Sequence, residues 1–109
     1  MLPFRLVYHP GYDLGLSDHV FPSEKYHLIR EKLLEEGIAR PEDFATPQPA
    51  SDEDLVLAHD ADWIRKLREG ALNCDELRLL EIPYSRRMVK AFRLAAGGTI
   101  LAGRLALRD

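Results

Sequence analysis

Cysteine is almost absent from this chain: among 109 residues it occurs once, as Cys74. A lone thiol closes no intramolecular disulfide, so the expected setting is reducing and cytoplasmic. Long apolar runs are also missing, and no stretch approaches the roughly eighteen residues of a membrane span. The opening Met1-Leu2-Pro3-Phe4-Arg5 lacks the basic-then-apolar order of a signal peptide. Basic residues are not in excess either. Lys and Arg number 15 against 18 Asp and Glu, which gives a net charge of -3 and a pI near 5.8. Neither a nucleic acid nor an anionic membrane surface is therefore the expected partner, since both call for a basic patch. Metal-site spacing is lacking as well. None of His9, His19, His27 and His59 has a second histidine three or four residues away, and there is no Cys-x-x-Cys or Asp-x-His.

What is present is ordinary soluble-domain composition, 46% hydrophobic and 30% charged, in a length that makes one domain with a modest core. Phe4 to His9 is short, apolar and β-prone, closed by Pro10-Gly11, and reads as a strand. Residues 10 to 21 form a loop longer than the usual strand-to-helix connection of about 2–6 residues, and long loops often carry function. A helix is expected from Ser23 to Glu36, with Tyr26, Ile29, Leu33 and Leu34 on one stripe and Gly37 as its stop. Three prolines keep residues 40 to 49 from being helical. Within that stretch Phe44-Ala45-Thr46 can add an edge strand, parallel to the first through a right-handed crossover.

Ser51 precedes an acidic turn and can accept from the Asp54 amide, opening a short helix that ends near His59. Asp60 caps the next, Ala61 to Glu69, which Gly70 terminates. Ala71 to Ile82 reads as a loop with a helical turn over Asp75 to Leu80. Pro83 closes it, and Ser85 caps a long helix over 86 to 108. That last helix carries Gly97, Gly98 and Gly103. Each glycine costs a helix interior roughly 0.8–1 kcal/mol relative to alanine. The expected compensation is close approach of another backbone, here a partner or a segment outside the chain.

The residues taken one by one form no recognisable active site. His27 and His59 sit on helices in structural roles, and Cys74 has no base near it in sequence. Asp52, Glu53 and Asp54 are the acids expected in a first helical turn. Gly97-Gly98-Thr99 lies inside a helix, whereas a phosphate loop precedes one. His19, beside Asp18 in the long loop, is the most suggestive of the histidines.

The order of the pieces says more. Tyr8-His9-Pro10-Gly11-Tyr12 leads to Asp18-His19-Val20-Phe21-Pro22-Ser23-Glu24-Lys25-Tyr26. Then follow Ala50-Ser51-Asp52-Glu53-Asp54-Leu55-Val56-Leu57-Ala58-His59, a Trp63-Ile64-x-x-Leu67 helix, Glu81-Ile82-Pro83-Tyr84-Ser85, and Ala96-Gly97-Gly98-Thr99-Ile100. This series resembles the N-terminal part of the histone deacetylase superfamily, closest to its bacterial and class IV members. The likeness covers essentially all of residues 1–109, which would then form a single partial domain.

The resemblance implies an α/β fold, the N-terminal portion of a three-layer α/β/α arginase/deacetylase-like architecture, with one βαβ unit plus helices. It implies zinc in the complete family domain and hydrolysis of acetylated lysine or acetylated polyamine. In the family a metal-bound water is activated with general acid–base help. The His-His pair and the Asp-x-His ligands of that chemistry have no counterpart in this sequence, so no catalytic or metal residue carries over and no cofactor is assigned to the chain itself. What carries over is the substrate-channel border: Asp18, His19, Phe21, Pro83 and Tyr84. The expected partner is the remainder of the domain, or a second copy. The alternative reading is a small non-catalytic binding module that docks through its glycine-rich C-terminal helix.

Overall fold

The computed structural model describes residues 2–14 and 22–108. Its elements are β1 (Leu6–Val7), α1 (Lys25–Glu35), β2 (Phe44–Ala45), α2 (Asp52–Leu55), α3 (Ala61–Glu69), α4 (Cys74–Leu80) and α5 (Arg86–Arg108). Single 3-10 turns at Pro10–Tyr12 and Pro41–Asp43 lead away from β1 and into β2.

The strands pair in parallel, Leu6 opposite Phe44 and Val7 opposite Ala45. The Tyr8 amide continues the ladder, donating to the Ala45 carbonyl at 3.1 Å. Both strands are shorter than the sequence pattern predicts, and at their carboxyl ends Pro10 and Pro47 remove amides that could extend the ladder. Side chains alternate across a strand, and the contacts follow that alternation. Arg30 of α1 lies over the rings of Tyr8 and Phe44, with its guanidinium carbon 5.5 and 5.2 Å from their centroids. Val7 instead lies beside Gly98 of α5. The sheet is thus held between α1 on one face and α5 on the other, an α/β/α layering around a βαβ unit.

Helix boundaries obey local chemistry. Ser51 Oγ accepts from the Asp54 amide at 3.1 Å, and Asp60 caps α3 through the Asp62 amide. Gly70 ends α3 at φ +71° and Gly37 follows α1 at φ +69°, a region that side chains disfavour. Ser85 Oγ accepts from the Met88 amide and starts α5. The expected turn over Asp75 to Leu80 is a full helix from Cys74, because Asn73 and Glu76 cap each other's backbone amides reciprocally. The apolar stripe expected on α1 is only partly used. Ile29 and Leu28 are exposed, and no residue of α1 is buried.

The core lies along the first half of α5. Leu14, Met88 and Ala91 are buried together, with Leu67, Leu80, Ile82, Tyr84 and Val89 packed on them. An ion-pair junction ties α2 and α3 to the same helix. Asp52 accepts from Arg93 at 2.6 Å and from Arg68, and these hydrogen bonds, Arg93's first, hold its carboxyl below the usual range.

The glycines of α5 divide in a way the sequence did not reveal. A Cβ on Gly97 would stand 1.8 Å from the Gln48 carbonyl oxygen, and one on Gly98 would stand 2.1 Å from the Tyr12 hydroxyl. The close approach expected from outside the chain is therefore made from within it at both positions. Only Gly103 faces open space.

Two predictions follow from this packing. Gly97→Ala and Gly98→Ala are expected to destabilise by about 1–3 kcal/mol through overpacking, measured by urea or thermal unfolding. Gly103→Ala should stabilise by about 0.8–1 kcal/mol. Adding Tyr12→Phe to Gly98→Ala should restore part of the loss, because the atom at 2.1 Å is removed and the next, Tyr12 Cζ, stands at 3.2 Å. Equal effects at the three glycines would refute the division.

The second concerns Asp43, 1% exposed, whose carboxylate accepts from the Arg40 amide at 2.8 Å and the Leu2 amide at 3.1 Å. The Arg40 bond above all, aided by that from Leu2, holds its pKa below the ordinary carboxylate value against the opposing effect of burial. Between the lowered folded value and the unfolded value near 4, the unfolded chain binds more protons, so stability rises with pH. The contribution is complete above about pH 4 and is lost as pH falls through the folded pKa. In thermal melts at stepped acid pH, Asp43→Asn should flatten the slope in that window, and an unchanged slope would remove Asp43 from the account.

Candidate functional site

The chemistry-bearing side chains gather at the carboxyl end of β1. Pro10 fixes the first residue of the turn that follows, and His9 completes it by accepting the Gly11 amide on Nδ1 at 2.8 Å. His9 therefore acts as a cap. The turn delivers Tyr12 onto α5, where its hydroxyl lies over Gly98. Tyr8 and Tyr26 stand edge-on to Tyr12, with centroids at 6.0 and 5.7 Å and interplanar angles of 80° and 71°. Burial, and secondarily Tyr26, push the Tyr12 phenol above its ordinary pKa, so it stays protonated at neutral pH. Between β1 and α5 runs an open groove of about 540 Å³, floored by Ala91, Ala95, Gly98 and Ala102 and walled by Val7 and Tyr12.

Immediately after the turn, the chain is clasped. Ser23, 2% exposed, accepts the Leu14 amide on Oγ at 3.0 Å and donates its hydroxyl to Asp13 Oδ1 at 2.9 Å. Arg87 of α5 donates from Nε to the Asp13 carbonyl at 3.1 Å, and its Nη2 lies 3.9 Å from Asp13 Oδ2. The two ends of the segment between Leu14 and Ser23 are thereby fixed to each other and to α5.

Asp18, His19 and Phe21 fall within that segment, outside the described residues. Pro83 is exposed. Tyr84 is half-buried against the cluster of Leu14, Met88 and Ala91, and its hydroxyl donates to the Leu67 carbonyl at 2.6 Å. The structure thus seats Tyr84 on the core cluster that includes Leu14, with its hydroxyl at the end of α3. Asp13, Ser23 and Arg87 were not singled out from sequence. In sequence Ser23 reads as a helix start, and nothing local signals a bond to a residue 10 positions away, or one from Arg87 across 74.

The other histidines are engaged elsewhere. His27 is exposed on α1, 3.9 Å from Glu31. His59 borders an apolar pocket of about 300 Å³ with Trp63, Ile64 and Met88. Zinc needs three or four converging nitrogen, sulfur or carboxylate ligands. Among the described residues no group of three or more His, Cys, Asp or Glu is placed to hold a metal ion. His9 Nδ1, Asp13 and Asp52 already accept hydrogen bonds from the chain itself. The described residues do not fit a zinc centre.

Removing the Ser23 hydroxyl leaves the buried Leu14 amide without its acceptor, which costs about 1–3 kcal/mol. Ser23→Ala should lower the unfolding free energy by that amount and accelerate hydrogen exchange at the Leu14 amide ahead of amides in α5. Unchanged exchange at Leu14 would show that the clasp does not hold the segment's base.

The family model of the histone deacetylase domain matches residues 19–109. Over 105 residues, 95% of this chain and 35% of the relative, the sequence is 36% identical to an uncharacterized protein of Picosynechococcus sp.. Over 111 residues it is 24% identical to Histone deacetylase 2 of Arabidopsis thaliana, covering 93% of this chain and 29% of that protein. The chain spans about a third of the length of these curated relatives. Among the described residues no helix is long and apolar enough to cross a membrane. With its parallel βαβ unit between two helical layers, a partial α/β fold of the arginase/deacetylase kind, the chain belongs to the histone deacetylase family.

Proposed function

We propose that this chain supplies the N-terminal scaffold and part of the substrate entrance of a cytoplasmic zinc-dependent deacetylase, acting on acetylated lysine or acetylated polyamine. By itself it does not hydrolyse them. The observation that carries this reading is the clasped segment at the carboxyl end of β1, between Leu14 and Ser23. In open parallel α/β sheets ligands bind outside the carboxyl ends of the strands, and this segment begins there. Asp18, His19 and Phe21 within it, together with Pro83 and Tyr84, line the channel in this proposal.

The remainder of the domain is the proposed partner. A parallel sheet is ordinarily buried on both faces and extended on its edges, and two strands do not make an independently stable sheet. In this fold β1 pairs with β2 alone among the described strands, and an apolar groove lies open against α5. A second copy of the chain could cover the same surface, but nothing in the packing favours it. The reading of a module that docks through its glycines loses support, because Gly97 and Gly98 are occupied by Gln48 and Tyr12 of the same chain.

The purified 109-residue chain, supplied with zinc and either an acetyl-lysine peptide or an N-acetylated polyamine, is expected to release no acetate above the buffer rate. Metal-dependent turnover by this chain alone would overturn the proposal that its catalytic groups come from elsewhere.

A further inference from the structure

We draw no further inference here: the strongest candidate, the apolar pocket between α3, α4 and α5 bordered by Trp63, His59 and Phe92, carries nothing because nothing in the structure shows what covers it.

Discussion

The packing rests on the absence of side chains at two consecutive positions of α5. At Gly97 the helix admits the main chain of Gln48, and at Gly98 it admits the ring end of Tyr12. These approaches come from two stretches far apart in sequence, one from the segment leaving β2 and one from the turn leaving β1. A methyl group at either position would stand closer to its neighbour than any real contact allows. The helix gives up intrinsic propensity at both glycines, and in return both strand exits lie directly on its backbone. Ala50 reinforces this contact, its amide donating to the Arg93 carbonyl at 2.9 Å.

That seating decides where the clasp of Asp13, Leu14, Ser23 and Arg87 lies. Once Tyr12 is on α5, Asp13 and Leu14 follow within reach of Arg87 and Ser23, and the two ends of the following segment are drawn together. The resulting base is polar and fully bonded, while its surroundings of Leu14, Met88, Ala91 and Tyr84 are apolar. A buried serine whose hydroxyl both accepts and donates suits such a place, because it satisfies two main-chain or carboxylate groups without bringing in a charge. In the three-tyrosine cluster beside it Tyr8 and Tyr26 stand edge-on to Tyr12, whose pKa burial raises, and this matches a packing role for Tyr12 better than acid–base work.

Much of the fold was legible because it is local. The caps at Ser51, Asp60 and Ser85 and the stop at Gly70 depend on residues within a few positions, and each behaves as its sequence reads. The parallel pairing of the first strand with Phe44-Ala45 follows from the helix between them and the handedness of such crossovers. Strand ends and the start of α4 depart from the sequence pattern where a neighbouring proline or a reciprocal Asn73–Glu76 cap shifts a boundary. The site was less legible. Nothing in the sequence marks His9 as a turn cap, a role that depends on the backbone placing the Gly11 amide 2.8 Å from Nδ1.

The sequence by itself determined the family, the βαβ unit and the presence and order of the helices, because ordered motifs, capping residues and hydrophobic periodicity act over short spans. It also marked the glycines of α5 as sites of close approach, which holds at Gly97 and Gly98 and fails at Gly103. Only the tertiary structure decided what approaches them, since Gly97 and Gly98 meet residues brought near by folding rather than by sequence order. The same holds for the clasp of Asp13, Leu14, Ser23 and Arg87: a hydrogen bond acts over about 3 Å, and folding alone brings residues 74 positions apart within that reach.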